Sequence, residues 1–259
     1  MARSADERRE LIVEELARDH MVKVSELSER FGISEVSIRR DLNLLEQHGL
    51  LKRVHGGAVV APSISLEQSY SARMRLHVDE KERIGRAAAE MIREGDRIIF
   101  DSGTTVLQVA RKISGDLLNS GNLSVITASL PIVHELGHWK GVHLILLGGI
   151  YLPDYEVCVG PQTMKNLNGL HADKMFLGTD GLTLSHGHTS ANVLEAQVVQ
   201  AMIEHASEII TVADSSKIGA IGLTAIIPLN KIDKLITDTN APSDFVAALK
   251  EQGVEVILV

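Results

Sequence analysis

The sequence has a single cysteine, Cys158, and aromatic residues make up only 3% of it. One cysteine cannot form an intramolecular disulfide and has no cysteine partners for a zinc site, so we expect a buried, inert thiol. Scarce aromatics argue against a base-stacking surface for single-stranded nucleic acid. The longest apolar runs, such as residues 142–150, are shorter than a membrane span, and the charged start lacks a signal-peptide pattern. These absences favour a cytoplasmic protein with no membrane contact.

The length and composition are those of a globular protein with two domains. The chain has 259 residues, of which 44% are hydrophobic and 23% charged. Residues 61–76 mix Pro, Ser and charge without clear periodicity, which is typical of a linker. We therefore expect an N-terminal domain at residues 1–60, a linker at 61–76 and a C-terminal domain at 77–259.

The formal net charge is −8, and the N-terminal segment is not basic overall. Residues 1–60 hold ten Lys or Arg and eleven Asp or Glu. Any contact of this segment with DNA must therefore come from segregation of positive charge onto one face.

The N-terminal segment has the helix order of a helix-turn-helix. Apolar residues recur at helical spacing between Arg8 and Leu16 and again between Val24 and Phe31. Gly32 is a candidate C-cap, and Ser34 is a candidate N-cap of a third helix that runs to about His48. We place the helix-turn-helix at about residues 20–48.

The third helix predicts a polar face that suits the major groove of DNA. On a helical wheel Ile38, Leu42 and Leu45 form the buried stripe. An arginine pairs with guanine, an asparagine with adenine and a small apolar side chain with the thymine methyl. The N-terminal end of such a helix enters the groove first. A merely solvated face remains the alternative. The candidate reading residues are Ser34, Val36, Ser37, Arg39, Arg40 and Asn43.

Residues 50–60 predict a wing behind this helix. Two β-prone runs are joined through the pair Gly56-Gly57, which is a hairpin signal. Lys52, Arg53 and His55 would meet phosphates, and Gly56 would let the backbone come close. A hairpin that only closes the domain remains the alternative.

The C-terminal segment alternates short apolar strands with helical stretches, which indicates a parallel α/β sheet. The predicted strands are residues 97–100, 123–127, 142–147, 174–178, 208–213, 234–237 and 254–259.

Polar motifs follow several of these strands. The run Asp101, Ser102, Gly103, Thr104 and Thr105 leaves a strand and enters a helix, so its backbone N–H groups and hydroxyls suit a phosphate. Simple capping of the helix is the alternative.

Further polar residues are expected at the same edge of the sheet, where open α/β sheets bind ligands. Asp180 and Lys217 each follow a strand, and Asn192 and Glu195 start a helix. A phosphate cradle with two carboxylates and one lysine fits a phosphorylated polyol, whose hydroxyls Asp180, Asn192 and Glu195 would hold. His186 lies close to a further histidine, His188, but no third ligand is evident nearby, so we predict no metal and favour a surface or effector role for both.

Residues 37–58 carry a specific combination of motifs. Two arginines, Asp-Leu, Leu-Glu, Gly, Leu, Arg and His-Gly-Gly-Ala follow one another in order. This string resembles the DeoR/GlpR family of bacterial regulators of sugar metabolism. One small departure is Ser37, where the family often has threonine. The matching positions are Arg39, Arg40, Asp41, Leu42, Leu45, Glu46, Gly49, Leu51, Arg53, His55, Gly56, Gly57 and Ala58.

The resemblance extends over nearly the whole chain and implies a fold and a function. It implies a winged helix-turn-helix domain followed by an effector domain similar to ribose-5-phosphate isomerase. It also implies that Ser102 to Thr105 and Lys217 meet phosphate, that Asp180 and Glu195 meet sugar, and that Gly149, in the motif LLGG, belongs to the site. Ala128 and His188 depart from the family pattern, so the identity of the sugar cannot be copied from a relative.

The favoured function is a DNA-binding regulator, most often a repressor in this family, of a carbohydrate-utilisation operon. Its partners would be double-stranded operator DNA and a phosphorylated sugar as effector, with no cofactor, in a homodimer or homotetramer. A sugar-phosphate isomerase with Asp180 and Glu195 as acid and base is the alternative, although it leaves residues 1–60 unexplained and the isomerase signature is incomplete. A regulator that has lost its ligand and acts through a protein partner is a third possibility.

Overall fold

The computed structural model describes residues 8–9, 11–13, 15–16, 21–47, 51–54, 56–59 and 69–259. The chain divides into two compact units, Met1–Arg73 and Met74–Val259. No helix in the described part of the chain is long and apolar enough to cross a membrane.

In its described residues the first unit has three helical stretches and a small sheet. Residues 8–9, 11–13 and 15–16 are helical. The elements that follow are β1 (Met21–Lys23), α1 (Val24–Phe31), α2 (Glu35–Gln47), β2 (Lys52–Val54) and β3 (Gly57–Val59).

The turn between α1 and α2 forms as the sequence predicts. Gly32 has a left-handed φ of 65°, and its N–H donates to the carbonyls that end α1. The Oγ of Ser34 accepts from the N–H of Ser37 at 3.3 Å, so Ser34 caps α2. The predicted end of this helix at His48 and Gly49 lies outside the described residues. The order helix, turn, helix is confirmed.

The hairpin β2–β3 is confirmed, and the sheet has a third strand that the sequence analysis did not predict. The strand order is β1-β3-β2, with Lys23 opposite Gly57. A Cβ built on Gly57 would lie 2.1 Å from the carbonyl oxygen of Val22. Glycine is therefore required at position 57 by the close approach of two strands within the protein.

The second unit contains helices, two 3-10 turns and strands. The helix α3 (Tyr70–Met74) crosses the boundary between the units, within the stretch that the sequence analysis placed in the linker. The other helices are α4 (Val78–Ala89), α5 (Thr104–Lys112), α6 (Gly115–Asn119), α7 (Leu130–Leu136), α8 (Pro161–Lys165), α9 (Val193–Glu204) and α10 (Ser243–Glu251). The 3-10 turns are Ser215–Lys217 and Leu229–Lys231.

The main sheet has seven parallel strands, and they are the seven that the sequence predicts. Their order is β15-β14-β12-β9-β4-β5-β6, and every neighbouring pair is parallel. The bounds are β4 (Arg97–Phe100), β5 (Leu123–Thr127), β6 (Val142–Leu146), β9 (Ala172–Leu177), β12 (Ala206–Val212), β14 (Lys234–Thr237) and β15 (Glu255–Leu258). The fold-class prediction is confirmed.

Two smaller sheets were not predicted. The hairpin of β7 (Ile150–Leu152) and β8 (Val157–Val159) carries the buried Cys158 on its second strand. The strands β10 (Gly181–Thr183), β11 (Gly187–Ser190) and β13 (Thr224–Ile227) form an antiparallel sheet.

The chain reverses direction across the main sheet between β4 and β9. After β4 it builds β5 and β6 on one side, and it then crosses to add β9, β12, β14 and β15 on the other. The carboxyl ends of β4 and β9 thus flank a topological switch point, the place where open α/β sheets form a ligand crevice.

Candidate functional site

The helix α2 presents a polar face with an apolar residue at its start. Ile38, Leu42 and Leu45 are buried, as the helical wheel predicts. On the other side Val36 is 66% exposed, and Arg40 and Asn43 are exposed. Ser37 is half-buried, and its Oγ lies 3.0 Å from the Oγ of Ser34. The structure thus brings the predicted residues of this helix onto one surface.

The two arginines of α2 differ in their partners. Arg39 donates to Oε2 of Glu35 at 2.7 Å, one helical turn earlier. Arg40 forms no hydrogen bond or ion pair with any described residue. Asp41 is turned inward, where its carboxylate accepts from Nε of Arg8 at 2.8 Å. Among the described residues, Arg40 therefore carries a positive charge without an acidic partner on this face.

The wing is joined to α2 through Arg53. Its NH1 donates to Oδ1 of Asn43 at 2.5 Å, and its backbone N–H donates to Oε1 of Glu46 at 2.8 Å. Residue type predicts separate roles for Arg53 and Asn43, yet the structure bonds them to each other. Gly56 is exposed at the hairpin turn with φ of 83°. His55 and the side chain of Lys52 lie outside the described residues.

At the switch point of the main sheet, Asp101 joins the ends of β4 and β9. Its Oδ2 accepts from the N–H of Gly178 at 3.1 Å, and its own N–H donates to the carbonyl of Phe176. Burial, and then the nearby carboxylate of Glu195, raise the pKa of Asp101 well above its ordinary value. This carboxyl group consequently holds its proton at a higher pH than an exposed aspartate does.

The N-terminus of α5 has no side-chain cap. The N-cap is Gly103, with φ of 109°, and no side chain caps the helix. The hydroxyl of Ser102 instead donates to Oε1 of Glu195 at 2.6 Å. Thr104 and Thr105 are buried in the first turn, whose N–H groups have no partner within the helix. The alternative that these hydroxyl residues simply cap α5 does not describe this geometry.

Ser190 links the two other carboxylates of the site. Its hydroxyl lies 3.2 Å from Oε2 of Glu195 and 3.4 Å from Oδ2 of Asp180. The N–H of Ala191 donates to the same oxygen of Asp180 at 2.8 Å. Asn192 caps α9, because its Oδ1 accepts from the N–H groups of Leu194 and Glu195. Asn192 thus orients Glu195, and only its amide N–H groups remain for a ligand.

Lys217 ends the 3-10 turn that follows β12, the strand next to β9. Its half-buried side chain makes no hydrogen bond or ion pair with the described residues. Gly149 follows β6, two strands from β4 at the same edge. A Cβ at Gly149 would meet Oγ1 of Thr163 at 2.0 Å, so glycine at this position is required by packing against α8.

The two histidines between β10 and α9 have different surroundings. His186 is exposed, with Nδ1 2.9 Å from the hydroxyl of Ser185. His188 is fully buried, and burial lowers its pKa to about 3. The backbone of Gly178 raises this pKa by less than burial lowers it. Neither ring nitrogen of His188 has a hydrogen-bond partner among the described residues. Within the described residues no three His, Cys, Asp or Glu side chains are grouped as a metal site.

Ser190 and Gly178 were missed by the sequence analysis. Ser190 lies two residues after His188, in a stretch where the sequence singles out the two histidines and Asn192. A Cβ at Gly178 would lie 2.9 Å from the carbonyl oxygen of Ser102, so this glycine lets β9 approach the loop after β4. The signal for both was their position next to Asp180 and Asn192 in the sequence.

These features define a class of protein: a winged-helix DNA-binding unit in the same chain as an α/β unit with a cluster of buried carboxyl groups at its switch point. The comparisons specify it further. Residues 8–63 match the DeoR-like helix-turn-helix domain, and residues 76–239 match the DeoR C-terminal sensor domain. The chain belongs to the DeoR family of transcriptional regulators.

Named relatives match over almost the full length. A putative aga operon transcriptional repressor of Escherichia coli O157:H7 is 36% identical over 98% of this chain and 93% of its own. The repressor GlcR of Bacillus subtilis is 33% identical over 98% and 96%. These relatives are transcriptional repressors, so the isomerase alternative is not favoured. A solved ribose 5-phosphate isomerase from Methanocaldococcus jannaschii is 15% identical over 54% of each chain, with a TM-score of 0.41.

Proposed function

We propose that the protein represses a carbohydrate-utilisation operon and that a phosphorylated sugar bound in the second unit controls its DNA binding. The functional division would be a DNA-binding domain at residues 1–60, a connection at 61–76 and a sensing domain at 77–259, acting in the cytoplasm. The observation that carries the proposal is the uncapped N-terminus of α5 beside the carboxylates of Asp180 and Glu195.

The chemistry of the ligand follows from that arrangement. A helix N-terminus with free N–H groups attracts a phosphate, and the ammonium group of Lys217 adds a positive charge from the neighbouring part of the sheet edge. Carboxylates and the amide of Asn192 hold hydroxyl groups through hydrogen bonds. We assign the phosphate to residues 102–105 and Lys217, and the sugar hydroxyls to Asp180, Asn192 and Glu195.

DNA recognition is assigned to α2 and the wing. Arg40 and Val36 are exposed at the start of the face and reach base edges, while Arg39, Ser34 and Ser37 lie beside them. Lys52, His55 and Gly56 are assigned to the phosphate backbone. Two copies in a homodimer or homotetramer would contact a repeated or palindromic operator.

The regulation requires that the effector bind the DNA-free protein better than the DNA-bound protein. A coupling free energy of about 1–3 kcal/mol changes DNA affinity by about 5- to 150-fold. Names of relatives such as the putative aga operon transcriptional repressor support the assignment as an operon repressor.

The test is a gel-retardation titration with the region upstream of the protein's own gene and a random duplex of equal length. A panel of phosphorylated sugars is added, each paired with its unphosphorylated parent sugar. We expect preference for the upstream region and release by a phosphorylated sugar alone. Equal binding of both duplexes contradicts the DNA assignment, and release by an unphosphorylated sugar contradicts the phosphate assignment. Conversion of ribose 5-phosphate to its ketose would favour the isomerase alternative.

A further inference from the structure

The hydrogen bond between Arg53 and Asn43 changes what Asn43 can recognise. A guanidinium group only donates hydrogen bonds, so the amide oxygen of Asn43 must face it. An asparagine that reads adenine uses this same oxygen to accept from the adenine N6 amino group while its NH₂ donates to N7. In this protein a charged donor already holds that oxygen at 2.5 Å.

The position of Arg53 is fixed at two points on α2. Its side chain contacts Asn43, and its backbone N–H donates to Glu46, one helical turn further along. The Nε of Arg53 is buried and has no hydrogen-bond partner among the described residues. The guanidinium group is therefore held against Asn43 on the exposed face of α2.

Together the two side chains offer mostly donors. The NH₂ of Asn43 and the remaining N–H groups of Arg53 are donors, and the one acceptor of the pair, Oδ1 of Asn43, already accepts from the guanidinium group. Guanine presents two acceptors, O6 and N7, in the major groove, whereas adenine presents one acceptor and one donor. A pair with many donors and one partly used acceptor fits guanine better than adenine.

We propose that Asn43 and Arg53 act as one guanine-recognition unit, in which Arg53 fixes the orientation of the Asn43 amide. The proposal rests on the proposed role of α2 in reading operator DNA. It assigns Arg53 a role in base specificity. It also assigns Asn43 to guanine, whereas the residue type of Asn43 alone predicts adenine.

The experiment selects bound sequences from a random duplex pool with the full-length protein and the variants Asn43→Ala, Arg53→Lys, Arg53→Ala and the double alanine variant. We expect the wild type to prefer guanine at one position by about 5- to 150-fold. Each single variant should lose the preference for guanine, and the double variant should show the same loss as either single alanine variant. Arg53→Lys is the informative variant, because it keeps the charge that a phosphate contact needs but not the planar donor that orients the amide.

A second arm replaces that guanine by 7-deazaguanine, which lacks the N7 acceptor. Wild-type affinity should fall, and the affinity of Asn43→Ala should not change further. The proposal is overturned if the position contacted by Asn43 is adenine, or if Arg53→Lys and Arg53→Ala keep the guanine preference. If the wild-type protein selects no sequence, the assignment of α2 to DNA reading is wrong. If it selects a sequence but the effects of the Asn43 and Arg53 variants on base preference simply add, only this inference is wrong. Thermal unfolding of each variant checks that the winged unit is folded.

Discussion

The hydroxyl of Ser102 donates a 2.6 Å hydrogen bond to Oε1 of Glu195, which lies 93 residues later in the chain. Ser102 precedes the N-terminus of α5, and Glu195 lies in the first turn of α9. Two helix N-termini therefore meet at one buried hydrogen bond, and both favour negative charge there. A phosphate that binds at α5 competes with Glu195 for the Ser102 hydroxyl, so this bond connects the two halves of the proposed ligand site.

Replacing Ser102 by alanine should weaken the response to the effector. The variant removes one donor to the buried carboxylate of Glu195, which costs about 1–3 kcal/mol of folding stability. It also removes a donor to the ligand phosphate, so we expect about ten times more effector to be needed for DNA release. Gel retardation with an effector titration measures this. Ser185→Ala, on the exposed turn after β10, is the control. Release at the wild-type effector concentration would exclude the assigned contact.

Asp101→Asn should change how folding stability depends on pH. Above the ordinary Asp pKa of about 4, the unfolded chain has released a proton that folded Asp101 still holds, because its pKa is raised. The free energy of unfolding of the wild type therefore falls with rising pH, by at most about 1.4 kcal/mol per pH unit for one proton, until the raised pKa is passed. Asparagine does not titrate, so the variant gains stability relative to the wild type over this range.

Urea denaturation between pH 4.5 and 7.5 measures this difference. Asp116→Asn, on the exposed side of α6, is the matched control for loss of a carboxylate. If the free energies of unfolding of Asp101→Asn and the wild type differ by the same amount at every pH, folded Asp101 does not hold a proton that the unfolded chain has released.

The sequence was most informative about the main sheet, for a physical reason. Strands of a parallel sheet are covered on both faces, so they read as short continuous apolar runs such as residues 97–100. Asp101 and Asp180 could be placed at the site because the carboxyl ends of such strands meet at one edge. The strands β10 and β11 gave no comparable signal, since they are short and carry polar residues.

Side-chain partners were beyond the reach of sequence patterns. Asn43 and Arg53 were each assigned from residue type, but their mutual bond depends on how the wing packs on α2. Asn192 was expected to hold a ligand, yet its oxygen caps α9. Ser190 gives no sequence signal of its own, because a serine near the end of a short strand has many possible hydrogen-bond partners. Such choices follow from the packed fold and cannot be read from spacing.

Arg40→Ala should reduce specific DNA binding more than Arg39→Ala does. Arg40 has no partner among the described residues, whereas the charge of Arg39 is compensated by Glu35 at 2.7 Å. Loss of a base contact costs about 1–3 kcal/mol, or about 5- to 150-fold in affinity for the upstream region. Competition gel retardation against random duplex measures this. An equal loss on random duplex would instead identify Arg40 as a phosphate contact.

Gly57→Ala should unfold the winged unit, and Gly56→Ala should not. The new Cβ at position 57 would overlap the carbonyl oxygen of Val22, at 2.1 Å, and separate β1 from β3. Position 56 has open space and a left-handed φ of 83°, so alanine there costs about 1–2 kcal/mol in backbone strain. We expect Gly57→Ala to lose DNA binding while thermal stabilisation by the effector persists. Wild-type DNA affinity in this variant would contradict the strand pairing.

Lys217→Ala should uncouple DNA binding from the effector. The half-buried ammonium group has no partner among the described residues, so its removal disturbs no internal bond, but a bound phosphate loses a charge-assisted contact. We expect wild-type affinity for operator DNA and at least about a tenfold loss of sensitivity to the effector. Lys231→Ala is the matched control, because Lys231 also ends a 3-10 turn that follows a strand, and it is exposed. Thermal shift with the phosphorylated sugar and gel retardation measure the two effects separately. If Lys217→Ala and Lys231→Ala respond alike, the phosphate is held by α5 alone.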